Sequence, residues 1–429
     1  MTTTTADLLA RRAAHVAPSL SIHYQGNPIH VARGAGQYLY GVDGTRYLDC
    51  INNVALVGHS HPRVVSAVAR QMAQINTNTR FLYEPLVDYA EALTSLLPAP
   101  LDVCYFVNSG SEANELALRL ARAHTRRRGV LVLDHAYHGN TTSLVDISPY
   151  KFNGPGGEGR QSHVQIAPAP DTYRGPHRGT DAAQRYADDV QAALLRGDAT
   201  GKPVGLFIAE PILGCAGQVE PPPGYLAAAF NHARAAGAVV AADEVQVGFG
   251  RVGTHMWGFE LHGVTPDIVT MGKPIGNGFP LGAVVTTSEI AASFNNGMEY
   301  FNTFGGNPVA CAAGLAVLDV LAEERLAEHV VAVSEHLVNG FRHLATKHEV
   351  IGDIRGRGLF LGVDLVTNRD SSEPATELAT HLVGALREQG LLVSTEGPGH
   401  NVLKLKPPLP FTESDADELL EAIDRALVQ

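Results

Sequence analysis

The sequence predicts an α/β protein with a doubly wound, mostly parallel sheet in a large domain and a smaller α+β domain. Apolar runs of strand length alternate with segments of helical periodicity from about residue 65 to residue 320, the order that parallel sheets require. Two of the apolar runs end on reactive side chains, Asp243 and Lys273. Ligands collect outside the carboxyl ends of such strands, so one pattern predicts both the fold and the position of a site.

The amino-acid composition is that of a globular protein, and it limits the classes of molecule that the protein is expected to bind. The chain has 429 residues, 45% of them apolar, and 32 basic against 44 acidic side chains give a net charge of −12. This length is enough for two or three domains. Without a basic run, nucleic acid and anionic membrane are poor partners, and no apolar stretch approaches the length of a membrane span. We expect a small-molecule substrate.

The cysteines and the N-terminus bear on the cellular setting. Cys50, Cys104, Cys215 and Cys311 are scattered and have neither metal-site spacing nor the pattern of a disulfide framework. We therefore expect a reducing, cytoplasmic compartment. Residues 1–18 lack the apolar core of a secretory signal, and we expect a frayed N-terminus there rather than a short transit peptide.

Near the N-terminus, a hairpin and a helix are predicted. Residues 37–49 alternate around Asp43-Gly44, which predicts a small edge hairpin. After residue 62 comes a helix whose predicted apolar face is Val64, Val65, Val68 and Met72. His59 and His61 lie before it without a third ligand at suitable spacing, so we interpret them as part of a turn and predict no metal site.

A turn rich in serine is predicted to lie at a helix N-terminus. The strand at residues 103–107 leads into Ser109-Gly110-Ser111, and apolar residues then recur at helical spacing through residue 121. Unpaired N–H groups and the helix dipole favour an anion there. Simple N-capping by Ser109 or Ser111 is the alternative, and both can hold.

The remaining elements follow in chain order. Strands are predicted at residues 130–133, at 204–209 ending on Glu210, and at 281–285; residues 151–179, rich in Gly and Pro, predict a surface excursion at the mouth of the site. Beyond them we predict helical segments over 309–347 broken near residue 323, two strands in 351–364, a helix at 374–389, strands at 391–394 and 402–408, and a last helix from Thr412 capped with Asp415. The domain boundaries expected are 1–64 and 323–429 for the two parts of the small domain and 65–322 for the large one.

The surroundings of Lys273 distinguish it from an ordinary charged residue. It is flanked by Gly272, Gly276 and Gly278, which let the backbone approach a ligand closely. Pro274 follows directly and disfavours helical geometry at the lysine. Spacing alone also allows a structural ion pair with Asp243.

Residues 243–251, followed by residues 266–273, closely resemble the signature of class III aminotransferases. These are fold-type-I enzymes that use pyridoxal 5′-phosphate (PLP). The resemblance implies that Lys273 carries the cofactor as a Schiff base and shuttles the proton. It also implies that Asp243 pairs with the pyridinium nitrogen and keeps the ring an electron acceptor.

The resemblance extends to other cofactor contacts. It implies that Ser109, Gly110 and Ser111 form the cup for the PLP phosphate and that Tyr137 stacks on the ring, a core tyrosine being the alternative. It further implies that Thr303 reaches the cofactor phosphate of a neighbouring subunit, and therefore a homodimer or a dimer of dimers. The other contacts implied are His138, Val245, Gln246 and Glu210, the last of which is almost equally well explained as a structural carboxylate.

Substrate choice is predicted from three basic residues. Many members of the family have an arginine in a Val-Leu-Arg-x-x-Pro-Pro motif that binds a carboxylate, whereas this chain has Lys404 and Lys406 in residues 402–408. Arg80 lies in the segment that lines the substrate entrance in the family. Point charges of this kind suit a phosphate dianion, although solvated surface charges are the alternative. Because side chains alternate along a strand, both lysines are expected to point the same way.

The family also contains lyases. Along most of its length the sequence most resembles those that act on ethanolamine phosphate, and the resemblance is carried by residues 50–55, 76–82, 134–139, 148–152, 171–175, 243–250 and 401–408. The implied reaction is β-elimination of phosphate, giving acetaldehyde, ammonia and phosphate. Residues 279–282 depart from that likeness. Three alternatives stay open: an ω-aminotransferase of the β-alanine or alanine–glyoxylate type, a phospho-lyase for phosphohydroxylysine, and a PLP-binding protein without turnover.

Overall fold

The computed structural model describes residues 4–428 of the chain. Its α-helices are α1 (Thr5–His15), α2 (Pro62–Gln74), α3 (Glu84–Thr94), α4 (Gly110–Thr125), α5 (Thr142–Asp146), α6 (Pro149–Phe152), α7 (Ala182–Ala199), α8 (Tyr225–Ala235), α9 (Ser288–Phe294), α10 (Pro308–Glu323), α11 (Leu326–Lys347), α12 (Thr376–Glu388) and α13 (Glu413–Val428). Short 3₁₀ helices cover Gly258–His262 and Lys273–Gly276.

The strands are β1 (Val31–Ala35), β2 (Tyr38–Gly41), β3 (Arg46–Asp49), β4 (Leu101–Val107), β5 (Gly129–Leu133), β6 (Val164–Ala167), β7 (Val204–Ala209), β8 (Val239–Asp243), β9 (Ile268–Met271), β10 (Gly282–Thr287), β11 (Ile351–Arg357), β12 (Phe360–Asn368), β13 (Glu373–Pro374), β14 (Leu391–Leu392), β15 (Ser394–Glu396) and β16 (Val402–Leu405).

A seven-stranded sheet forms the centre of the protein, in the order β4-β10-β9-β8-β7-β5-β6. Strand β10 runs antiparallel to both of its neighbours, while the remaining pairs are parallel. Along β5, Val130 and Val132 pack on the side of α4, while Leu131 and Leu133 pack on the side of α7 and α8. Both faces of the sheet are therefore buried, which explains why its strands read as continuous apolar runs. The prediction of a mostly parallel, doubly wound sheet is confirmed.

Two smaller sheets complete the fold: the first joins strands from both ends of the chain, and the second contains only strands from residues 351–405. One has the order β1-β2-β3-β14, and the other contains β11-β12-β16-β15 with β13 beside β12. The predicted hairpin is present, with Tyr38 opposite Leu48. Its expected position at an edge is wrong, because β3 also pairs in parallel with β14 from the C-terminal part. The domain boundaries at residues 64 and 322 stay predictions.

The N-terminal segments differ from the sequence expectations in two ways. The frayed terminus expected over residues 1–18 is wrong for Thr5–His15, which form α1 with Thr4 as the N-cap, although this helix buries none of its residues. Residues 1–3 lie outside the described part of the chain. In α2 the predicted apolar face is right in part: Val64 is buried, whereas Val65 and Met72 are exposed.

Most C-terminal predictions are confirmed, including the break between α10 and α11, the β11–β12 pair and the Thr412–Asp415 cap. The strand predicted at residues 391–394 is split into β14 and β15. Across residues 4–428, no helix is both long enough and apolar enough to span a bilayer.

The two early histidines are held by carboxylates. His59 pairs with Asp49 at 2.7 Å and His61 with Glu324 at 3.1 Å. Among the described residues, no cluster of three or more potential metal ligands is present. Both histidines thus have structural partners, in line with the interpretation of residues 58–62 as a turn.

Candidate active site

A cavity of about 350 Å³ opens where β7, β8 and β9 end, next to the start of α4. The residues predicted to contact the cofactor that line it are Ser109, Gly110, Ser111, Tyr137, His138, Glu210, Asp243, Val245, Gln246 and Lys273. The structure therefore brings together side chains that lie up to 164 positions apart in the sequence (273 − 109). Thr303 and the three predicted substrate residues are not part of this lining.

Asp243 is held in the cavity by several hydrogen bonds. It ends the fully buried strand β8 and is itself only 4% exposed. Its Oδ2 accepts hydrogen bonds of 2.8 Å from Asn114 Nδ2 and from His138 Nδ1, and its Oδ1 accepts one of 3.1 Å from the Val245 N–H. Three donors, one on helix α4 and two on separate loops, fix the carboxylate, so it can hold a positive charge at one defined place.

Lys273 follows β9 through Gly272 and has a left-handed backbone, with φ of 40°. This conformation is uncommon for a residue with a side chain and is found mainly where function over-determines the backbone. A Cβ at Gly272 would lie 2.7 Å from the N atom of Gly110. Glycine is therefore required for the lysine loop to lie against the start of α4.

The predicted anion cup is the first turn of α4. Ser109 is the N-cap, and its Oγ accepts from the Glu112 N–H at 3.1 Å. Ser111 Oγ instead donates to Asn140 Oδ1 at 3.0 Å, which joins the cup to the loop after His138. Capping and anion binding are compatible here, because a helix start leaves further N–H groups without intrahelical partners.

Glu210 is a buried acid with unused bonding capacity. Its Oε2 accepts from the Gly214 N–H at 3.1 Å, whereas its Oε1 has no partner among the described residues. Burial, and after it the charge of Asp243, raise the pKa of Glu210 to about 7. A raised carboxyl pKa beside a cavity is common at functional sites, and the functional role of Glu210 stays a prediction.

Lys406 reaches the cavity wall through Gln246. Its Nζ donates to Gln246 Oε1 at 2.9 Å, and the same oxygen accepts from Asn53 Nδ2 at 3.1 Å. Lys406 is only 4% exposed, and desolvation, followed by repulsion from Lys404, lowers its pKa to about 7. A buried ammonium group of this kind gains most when an anion arrives to share its charge.

Lys404 has a different environment. Its Nζ donates to Glu396 Oε1 at 2.5 Å on the neighbouring strand β15. Strand β16 ends at Leu405, so the strand alternation that predicted a common direction for the two lysines does not extend to Lys406. The two lysines consequently lie in different surroundings: Lys404 is paired with a carboxylate, and Lys406 with an amide oxygen.

Arg80 and Thr303 lie outside the cavity, on the surface. Arg80 Nη2 lies 3.1 Å from Glu299, and its guanidinium carbon lies 4.0 Å from the ring centroid of Phe301. Thr303 is exposed. Its loop is fixed to the cup, since Asn302 Nδ2 donates to Glu112 Oε2 at 2.6 Å.

Exposed apolar side chains surround these two residues. We call them the apolar patch: Phe81, Leu82, Met298, Phe301 and Phe304. Leu82 is fully exposed and Phe304 is 66% exposed. The patch residues lie on two segments that Arg80 connects through its contacts with Glu299 and Phe301, and groups of exposed apolar side chains are typical of protein contact surfaces.

Sequence reasoning missed three contributors to the site: Asn114, Asn53 and Glu396. Asn114 offered a signal, because it is a polar residue on the apolar face of a helix, one turn beyond Gly110, and buried amides are almost always hydrogen-bonded. Asn53 offered none, since it meets Gln246 across 193 positions of sequence. Glu396 is only eight positions from Lys404, but their contact depends on the pairing of β15 with β16, which no local pattern indicated.

The family model "Aminotransferase class-III" matches residues 21–427. The chain belongs to this family. It is 50% identical over 416 residues to the "Alanine--glyoxylate aminotransferase 2-like" protein of Drosophila melanogaster, covering 95% of this chain and 84% of that protein. It is 44% identical to "Ethanolamine-phosphate phospho-lyase homolog 1" of Caenorhabditis elegans, covering 98% and 93%.

Solved structures agree with this assignment. A phospholyase from Arthrobacter in complex with phosphoethanolamine superposes with a TM-score of 0.94 at 41% identity, covering 99% of this chain and all of that one. The class-III chain thus has the fold-type-I architecture and is an enzyme that depends on PLP.

The residues of the cavity fit this cofactor. The first turn of α4 suits its phosphate, the fixed carboxylate of Asp243 suits its ring nitrogen, and Tyr137 and Val245 both line the space for the ring. Lys273, which lines the same cavity, would provide the amine for covalent attachment. When bound, PLP supplies an electron sink that lets an amine-bearing carbon lose a proton.

Proposed function

We propose that this class-III enzyme is a phospho-lyase that eliminates phosphate from ethanolamine phosphate, after which one water molecule hydrolyses the remaining two-carbon unit to acetaldehyde and ammonia. The observation that carries the proposal is the buried Lys406, whose ammonium group is held at the cavity wall by Gln246. A point charge in this position suits a phosphate dianion rather than the planar pairing of a carboxylate with arginine. The likeness to a phospholyase bound to phosphoethanolamine supports the same substrate.

In the proposed reaction, Lys273, Asp243 and Lys406 each have a separate role. Lys273 Nζ removes the proton from the substrate carbon that carries the amine. Asp243, fixed by Asn114 and His138, holds positive charge on the cofactor side of the cavity. Lys406 Nζ neutralises the phosphate as the C–O bond breaks, and this stabilises the leaving group more in the transition state than in the bound substrate.

We also propose that the enzyme works as a homodimer. Arg80 and Thr303 lie outside the cavity of their own chain but within the exposed apolar patch. Packing this patch against a second copy would bury it and bring both residues towards the partner's cavity. In that arrangement Thr303 contacts the partner's cofactor phosphate, and Arg80 adds positive charge at the partner's substrate entrance.

The second candidate is an aminotransferase of the alanine–glyoxylate type. The 50% identity to the Drosophila relative of that name favours it. The pairing of Lys404 with Glu396 speaks against it, because the position that carries a carboxylate-binding arginine in many members is here a lysine already engaged by an acid.

A substrate comparison tests the proposal. The cofactor-loaded enzyme is given ethanolamine phosphate, phosphate-free ethanolamine, or β-alanine with glyoxylate, and phosphate, ammonia, acetaldehyde and new amino acid are measured. We expect equal amounts of phosphate, ammonia and acetaldehyde from the first substrate. Amino-group transfer from β-alanine with no phosphate release from ethanolamine phosphate would replace the proposal with the second candidate.

A further inference from the structure

A second cavity, also of about 350 Å³, lies beside the catalytic one. Three of the side chains that line it, His135, Lys151 and His400, are basic or can become so, and no Asp or Glu is among its lining residues. The chain as a whole carries a net charge of −12. A cavity with this charge composition therefore departs from the surrounding surface and favours an anion.

Aromatic rings form the wall between the two cavities. Tyr150 lines the second cavity and meets Tyr137 of the catalytic cavity edge-on, with ring centroids 6.0 Å apart. The ammonium group of Lys151 lies 5.3 Å from the Tyr150 centroid and 5.7 Å from that of Tyr137. Attraction to both rings keeps this charge at the boundary, where it can interact with a group on its way into or out of the catalytic cavity.

The two histidines are presented by unusual backbone. His135 has φ of 59° and His400 has φ of 49°, both in the left-handed region. Such conformations are uncommon for residues with a side chain and concentrate at ligand sites. Two of them on opposite loops of one small cavity indicate a built surface rather than a chance gap.

The carboxylates near the second cavity do not cancel its positive charge. Asp134 approaches His135, with Oδ2 3.6 Å from Nε2, so one of the three basic groups is partly compensated. Glu396 acts on Tyr150 at longer range, but its Oε1 already accepts from Lys404. Lys151 and His400 are therefore the principal anion-binding groups.

We propose that this second cavity is an outer oxyanion site that binds a phosphate group next to the catalytic cavity. The ligand is either the phosphate end of an approaching substrate or the phosphate just released, and this role rests on the proposed phospho-lyase function. The binding chemistry does not depend on that function, because a charged lysine and two imidazoles bind inorganic phosphate whatever reaction occurs next door.

The test measures binding of inorganic phosphate to the cofactor-loaded enzyme by titration calorimetry, with the α4 cup already filled by PLP. Lys151→Gln removes the central charge. His400→Asn removes the imidazole but keeps a residue that tolerates left-handed backbone. We expect each variant to bind phosphate about tenfold more weakly, the loss typical of one charge-assisted hydrogen bond. Lys347→Gln, an exposed lysine on α11, serves as the matched control and should bind like the wild type.

Kinetics identify the source of the phosphate. A rise of about tenfold in the inhibition constant of inorganic phosphate in Lys151→Gln, with an unchanged KM for ethanolamine phosphate, assigns the site to the released product. A rise in KM of similar size assigns it to the approaching substrate. The outer site is refuted if the wild type binds no phosphate, or if Lys151→Gln and His400→Asn both bind it like the control. An enzyme that binds phosphate in this way but releases none from ethanolamine phosphate refutes the proposed function alone.

Discussion

Replacing Asp243 by Asn removes one charge from the catalytic cavity while nearly preserving its shape. A unit charge held about 4 Å from a carboxylate is stabilised by about 4 kcal/mol at the screening typical of protein sites. Since about 1.4 kcal/mol corresponds to a tenfold rate change, kcat/KM is expected to fall about a thousandfold. The amide oxygen of Asn can still accept from His138 and Asn114. Its NH₂ group then faces the Val245 N–H, and leaving that buried donor unpaired costs about 1–3 kcal/mol of folding stability.

The assay is steady-state turnover of ethanolamine phosphate, with cofactor content read from visible absorbance and folding from thermal melting. The control is Glu210→Gln, which alters another buried carboxyl group of the same cavity. Because the pKa of Glu210 is raised to about 7, its neutral form dominates at pH 6, and glutamine imitates that form. We expect Glu210→Gln to lose less than tenfold in rate at pH 6. An Asp243→Asn enzyme that holds its cofactor and stays within about tenfold of the wild type would refute the assigned role.

Three further predictions concern the cofactor loop, the buried lysine and the entrance arginine. Gly272→Ala should weaken PLP binding by tenfold or more, because its Cβ would lie 2.7 Å from Gly110 N. The control Gly384→Ala has open space around the new Cβ and should bind PLP normally. Fluorescence titration of the apoenzyme measures both affinities, and equal values would contradict the close-packing argument. Burial lowers the pKa of Lys406 from 10.5 to about 7, so the folded state binds this proton less well than the unfolded state. The resulting loss of folding stability is complete below pH 7 and fades as the pH rises towards 10. Lys406→Met should therefore be more stable than the wild type by chemical denaturation at pH 6–7, by a margin that shrinks towards pH 10, and a pH-independent difference would contradict the assignment. Arg80→Ala should raise the KM for ethanolamine phosphate about ten- to a hundredfold if the partner's Arg80 contacts the phosphate, whereas an unchanged KM in an intact dimer would exclude that contact.

The central sheet was predictable from sequence because its strands are buried on both faces and therefore appear as uninterrupted apolar runs. The position of the site followed from the same runs, since Asp243 and Lys273 each follow the end of a strand. The sequence also indicated that the backbone at Gly272 approaches another group closely. Only the fold shows that this group is the backbone of Gly110. For these residues the local sequence pattern alone was enough to predict their position in the fold.

Contacts between distant segments could not be predicted in this way. The contact of Lys406 with Gln246 joins residues 160 positions apart and depends on where β16 ends. The contact of Lys404 with Glu396 spans only eight positions, yet it depends on the register between β15 and β16, and a one-residue shift would turn the side chains to the other face. The parallel pairing of β14 with β3 joins residues more than 300 positions apart, so the hairpin alone gave no sign that its edge would be covered. The second cavity likewise combines residues 135, 151 and 400, which no sequence motif links.

The most direct test of the central claim is the number of turnovers per active site on ethanolamine phosphate in the strict absence of any keto acid. Elimination and the hydrolysis that follows it consume only the amine and water, whereas a transaminase needs an amino-group acceptor in every cycle and stops after one. We predict sustained phosphate release over many turnovers, with acetaldehyde and ammonia in equal amounts, and no release by Lys273→Ala. Release that stops at one equivalent per site or is missing altogether, together with rapid amino transfer to glyoxylate when it is added, would contradict the phospho-lyase account.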